Sequence, residues 1–160
     1  MTYSGKYRPK NPHKYKGDST NIVYRSMWER YCFRWCDESD DVVEWSSEEV
    51  VIPYYYEVDK KYHRYFMDLK IKHRNGKTYL IEIKPDSQTK PPKFPGKKTK
   101  RYITEGLTYV KNQNKWKAAT EFANDRGWEF QIWTEYTLEN MGIKPKPLKK
   151  LKPYAGKKKI

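Results

Sequence analysis

The chain has 160 residues, a formal net charge of +14, 36% hydrophobic residues and 16% aromatic ones, with 15 Tyr and 6 Trp. Those numbers point to one domain with a small, ring-rich core and many tyrosines whose hydroxyls stay in water. They argue against a membrane-spanning chain, since no apolar run nears the roughly 20 residues of a span, and no secretion signal is legible.

In chain order, residues 1–20 are polar and rich in Pro, Gly, Lys and Tyr, so they read as a basic, extended arm. A helix is expected from Thr20 to Asp37, with Val23, Met27, Tyr31 and Trp35 beside Trp28, Cys32 and Cys36 in an apolar stripe. Asp18, Ser19 or Thr20 would cap it. The two cysteines lie on that helix and read as buried thiols. Val42–Trp45 and Glu49–Tyr56 are strand-like, and Pro53 argues for an edge position or an irregular strand. His63–Ile71 and Lys77–Lys84 follow as a hairpin about Asn75-Gly76, a strong turn signal. The proline-rich stretch 85–100 reads as a loop, Thr104–Asp125 as a second helix ended by Gly127, and Trp128–Thr134 as a last strand. Counting the two strand-like stretches of 42–56 together, the order is helix, three strands, helix, strand, within a domain spanning 21–140 and followed by a basic Lys/Pro-rich tail over 141–160.

The charge is uneven. Residues 1–16, 84–101 and 144–160 together hold 20 of the 34 basic residues and one of the 20 acidic ones, leaving a mildly acidic body. Three basic segments with Tyr and Pro interleaved suit a polyanion, and binding through them would be strongly salt-dependent. Neither end shows an amphipathic apolar face for a membrane surface.

Strand alternation brings chemistry to the hairpin. Met67, Leu69 and Ile71 share one face of the first strand, Phe66, Asp68 and Lys70 the other. Tyr79, Ile81 and Ile83 share one face of the second, Leu80, Glu82 and Lys84 the other. About the Asn75-Gly76 turn, Asp68 falls opposite Glu82 to within about one residue. Burying the aliphatic faces therefore leaves Asp68, Glu82 and Lys84 together. Adjacent carboxylates repel, and a divalent cation relieves that; Mg²⁺ suits such hard oxygen ligands. A lysine beside them would orient a nucleophile or neutralise charge on a phosphate. These are parts for phosphodiester hydrolysis. A surface hairpin with cross-strand ion pairs to Lys70 and Lys84 is the plain alternative.

With Asp68 as its Asp and Glu82-Ile83-Lys84 as its E-x-K, the chain resembles the PD-(D/E)xK nuclease superfamily, Met67 standing where that family often has proline. The resemblance implies a restriction-endonuclease-like αβββαβ core, a mixed sheet flanked by helices, with Mg²⁺ or Mn²⁺ held by Asp68, Glu82, Glu29 and Ile83. Glu29 enters because Ser26-Met27-Trp28-Glu29 resembles the S-x-x-E segment of transposon-end and junction-resolving nucleases; an ordinary surface glutamate pairing with Arg25 is the alternative. Ser4-Gly5-Lys6-Tyr7-Arg8-Pro9-Lys10-Asn11-Pro12, with Lys14-Tyr15 and Gly17-Asp18, is similar to the opening of the head completion nucleases of large contractile-tailed bacteriophages. That family implies action on packaged double-stranded DNA at the capsid portal, in the virion or host cytoplasm, with portal or head–neck proteins as partners.

Other residues are expected in lesser roles. One of Lys115, Lys117 or Asn114 on the second helix would meet the DNA backbone, with a solvated helix face as the plainer alternative; His63 would assist as a base, and Tyr54, Tyr55, Tyr56, Tyr62 and Tyr65 would stack on bases or fill the core. His13, His63 and His73 show no zinc spacing with the cysteines. With no base-reading module, cleavage should follow structure or ends rather than a strict sequence. Two rivals stand: a noncatalytic DNA-binding assembly protein on the same fold, and a dimeric junction-resolving nuclease. The chain is expected to act as a monomer or a homodimer, on DNA in preference to RNA.

Overall fold

The computed structural model describes residues 4–144; the basic tail beyond lies outside the described residues. Strands β1 (Gly5–Tyr7) and β2 (Ile22–Tyr24) pair antiparallel ahead of helix α1 (Met27–Glu38). The first turns expected of this helix are therefore strand. The reason is tertiary: Ile22 and Val23 pair with β1, a partner that no local pattern reveals. The cap is Ser26, whose side chain accepts the Glu29 N–H, while the Asp18 carboxylate closes a turn on Thr20 instead.

The arm is not extended. Tyr7 and Tyr15 are buried in the core, and the segment between them folds onto the end of α1. There the fully buried Asp37 accepts the Tyr7 hydroxyl at 2.9 Å, the Lys10 N–H at 2.7 Å and the Asn11 N–H at 2.9 Å. Lys14 Nζ donates to the Asp37 carbonyl at 2.9 Å. A carboxylate with that many donors is at ease in the interior.

The centre is a long antiparallel ribbon. Its strands are β3 (Val42–Ser46), β4 (Val51–Tyr56), β5 (Lys61–Phe66) and β6 (Leu69–His73). Outward from the turn at 57–60, β4 pairs with β5 as a two-stranded sheet; further along, β3 pairs with β6. The strand expected over His63–Ile71 is thus two strands, broken at Met67-Asp68. Opposite the break, Glu48 takes a left-handed φ of +57° and its N–H reaches the Met67 carbonyl at 2.9 Å. The break reverses facing. Leu69 and Ile71 pack toward α1, as alternation from the hairpin requires, but Met67 and Tyr65 pack on the opposite side. Pro53 sits opposite Arg64 in β4, at the edge position expected of it.

After the Asn75-Gly76 turn, β7 (Thr78–Ile83) pairs with β6. Helix α2 (Lys100–Asp125) then crosses over to β8 (Glu129–Trp133), which lies parallel to β7. The four-stranded order is β3-β6-β7-β8, a mixed sheet. Thr99 caps α2 by accepting the Tyr102 N–H at 3.0 Å, so the helix starts before the expected Thr104, and the preceding loop includes a 3-10 turn at Asp86–Thr89. A short helix α3 (Glu135–Asn140), unforeseen, leads to the buried Ile143, so the first residues assigned to the tail pack in the core. Removing the β4–β5 insertion leaves α1-β3-β6-β7-α2-β8, the αβββαβ order expected. Two cores result. One lies between the sheet and α1, with Phe33, Trp45, Leu69, Ile71 and Ile81; the other joins Ile52, Tyr54, Tyr65 and Leu80 to Trp116, Ala119 and Ala123 of α2. Cys32 and Cys36 are free and buried, as expected.

Candidate active site

The register Leu69↔Ile81 and Lys70↔Leu80, carried one step further, sets Asp68 directly opposite Glu82. The strand break frees Asp68 from the ladder, and its Oδ2 accepts the Ile83 N–H at 2.8 Å. Glu82 is buried, with Oε2 3.5 Å from Lys84 Nζ. Its other oxygen, Oε1, accepts a hydrogen bond from the Tyr65 hydroxyl. The three residues expected at the heart of the site are brought together.

Burial first, and the Glu82 charge second, hold the Asp68 carboxyl well above the usual carboxylate range; the Ile83 N–H and Lys84 pull the other way. Glu29 stands nearby on the first turn of α1. Its carboxyl is also pushed up, chiefly by desolvation, with Glu48 and Glu82 adding repulsion. Oε1 of Glu29 accepts the Arg25 N–H at 2.9 Å. The S-x-x-E spacing therefore serves the helix end in the manner of a capping box, whatever else it does. The Arg25 guanidinium forks onto Glu48 at 3.0 and 3.1 Å, tying the entry of α1 to the break in the ribbon. Glu48 gave no signal in the sequence, since a left-handed glutamate looks like any other.

From α2, the half-buried Lys115 leans over the site. Its Nζ lies 5.2 Å from the Tyr65 ring centre, and desolvation lowers its pKa against the pull of Glu82 and Asp68. Lys117 is exposed. Asn114 is engaged elsewhere, its Oδ1 accepting the Glu57 N–H at 3.1 Å. His63 is engaged by Asp59 at 2.6 Å and stacks on Tyr54. Of the five tyrosines considered for stacking, Tyr54, Tyr56 and Tyr65 are buried, while Tyr55 and Tyr62 are exposed. Tyr65 thus has a role at the site that its sequence context did not reveal.

The donor set fits a hard divalent ion. Two adjacent carboxylates, one of them driven toward protonation by burial first and by the other's charge second, would be relieved by a cation, to which the Ile83 main-chain carbonyl could add. Among the described residues no three His, Cys, Asp or Glu side chains converge closely enough to hold an ion alone. Glu29 is therefore an electrostatic neighbour of the pair in this structure rather than a third converging ligand. One or two carboxylates completed by water and substrate oxygens are what Mg²⁺ commonly takes.

No helix among the described residues is long and apolar enough to cross a membrane. Residues 39–135 match the TnsA-like endonuclease N-terminal family, a stretch that includes Asp68, Glu82 and Lys84 and begins after Glu29. Over 148 residues the chain is 45% identical to the head completion nuclease of Enterobacteria phage T4, covering 90% of this chain and 99% of that relative. Sequence match, sheet order and paired carboxylates agree: the chain belongs to the TnsA-like endonuclease family, a nuclease of the head completion kind on a restriction-endonuclease-like fold.

Proposed function

We propose that the chain hydrolyses phosphodiester bonds of double-stranded DNA with Mg²⁺ or Mn²⁺, acting on packaged viral DNA during head completion and with little regard to sequence. The observation that carries this reading is the β6–β7 register, which sets Asp68 against Glu82 with Lys84 Nζ 3.5 Å from Glu82. Asp68 and Glu82 would hold the ion, Ile83 would add its carbonyl, and Glu29 would take part through water. When bound, the ion supplies charge stabilisation on the phosphate and acidifies a water. Lys84 donates to the attacking water or to the scissile phosphate, and Lys115 adds positive charge where the phosphate must lie. The basic segments contact backbone phosphates and carry no sequence information. The head completion role rests on the name of the T4 relative and on near-complete coverage of its length.

The test is digestion of plasmid and linear DNA with Mg²⁺ or Mn²⁺, alongside EDTA and the Glu82→Ala protein. Cutting that needs the metal and is lost in the variant supports the assignment. DNA binding without cutting under every metal tried would favour the noncatalytic assembly protein.

A further inference from the structure

We propose that Tyr65 determines which divalent ion the site accepts, by committing one oxygen of Glu82 and leaving the other to the metal; this rests on the metal-dependent reading above. Each carboxylate of the pair has one oxygen already taken. Asp68 Oδ2 holds the Ile83 N–H at 2.8 Å, and Glu82 Oε1 holds the Tyr65 hydroxyl. The remaining oxygens are Asp68 Oδ1 and Glu82 Oε2, the latter held only by the ion pair with Lys84 Nζ at 3.5 Å.

Tyr65 cannot easily release its partner. It is 3% exposed, paired with Ile52 across the ribbon, edge-on to Tyr54 at 6.4 Å between ring centres and capped by Lys115 at 5.2 Å. Turning away would leave a buried hydroxyl unpaired. Two carboxylates that each offer one oxygen suit a small ion with short bonds and near-octahedral geometry, its remaining positions filled by water and phosphate. Ca²⁺ takes six to eight oxygens at longer distance and favours two-oxygen chelation by a carboxylate, which this arrangement withholds. The main chain fixes the Asp68 half of the device; the Tyr65 half rests on one hydroxyl. Tyr65 is a positioning residue, acting through Glu82.

Tyr65→Phe removes that hydroxyl and keeps the ring. Binding of Mn²⁺ and of Ca²⁺ would be measured without DNA, by calorimetry and by Ca²⁺ displacement of Mn²⁺ followed by electron paramagnetic resonance. The expected result is a rise of about tenfold in Ca²⁺ affinity relative to Mn²⁺, matched by stronger Ca²⁺ inhibition of Mn²⁺-supported cleavage. An unchanged Ca²⁺ to Mn²⁺ ratio in a folded Tyr65→Phe protein would overturn the inference. So would a wild-type protein that binds Ca²⁺ as tightly as Mn²⁺, a result that needs no variant. Failure of the wild type to bind any divalent ion would sink the metal-dependent reading itself, and is a separate outcome.

Discussion

Two buried carboxylate centres in this small molecule have opposite electrostatic fates. At the end of α1, Asp37 is wholly enclosed and satisfied by the Tyr7 hydroxyl and the Lys10 and Asn11 amides. At the β6–β7 end of the sheet, Asp68 and Glu82 face one another with fewer donors, and Asp68 is driven toward protonation. The first centre closes a fold; the second stores repulsion that a cation would relieve. Burial of an acid is therefore no signature of function by itself. What separates the two is whether the protein supplies the donors.

That contrast can be broken from both sides. The largest effect is expected from Glu82→Ala or Asp68→Ala, which should reduce metal-supported DNA cleavage on the order of a hundredfold or more while gel-shift binding persists. Wild-type cleavage by either variant would remove that residue from the site. Next comes Asp37→Ala, which strands three donors and should cost about 2–4 kcal/mol in urea unfolding, with cleavage per folded molecule unchanged.

A smaller effect of opposite sign is expected at Asp68. Its carboxyl faces Glu82 and Lys84 from β7 and just beyond, Glu29 and Cys32 from α1, Lys115 from α2, and Tyr65 from β5. Because folding raises its pKa above the ordinary 3.8, the folded chain holds that proton more tightly than the unfolded one. The associated stability is complete below pH 3.8 and is lost as pH rises through the higher folded value. In EDTA, Asp68→Asn should then be more stable than wild type at neutral pH, the advantage vanishing toward pH 4; equal unfolding midpoints across that range would count against a carboxyl held up by burial and by Glu82. Smallest is Ser26→Ala, expected to cost about 1 kcal/mol through the lost helix cap, read from the same urea titration.

Much of the candidate site is legible in the sequence. A two-residue period and the Asn75-Gly76 turn specify which side chains meet, and Asp68, just before β6, accepts the Ile83 N–H beside Glu82. The same rule failed for Met67 and Tyr65, because the ribbon breaks at 67–68, where a left-handed Glu48 carries no compositional mark. The helix start was misplaced because Val23 fits a helical stripe as well as a strand, and its true partner, Lys6, is distant in sequence. Lys115 was one of several helix cations until packing brought it, and not Lys117, over the carboxylates. Local periodicity fixes pairs joined by a short turn; it is silent on contacts that depend on how elements dock.

Pro53 has a consequence for how copies of the molecule tolerate crowding. The Met67 N–H to Val50 O bond at 2.9 Å marks a hydrogen-bonded pair, so alternation puts Pro53, opposite Arg64, in a pair without ladder bonds. Its nitrogen faces the open edge of the two-stranded ribbon and has no hydrogen to offer. A second strand laid along that edge would meet a gap where it needs a donor, which disfavours edge-to-edge growth of sheets between molecules. On the β4 side the ribbon is thereby a poorer template for a further strand than an edge with every donor in place.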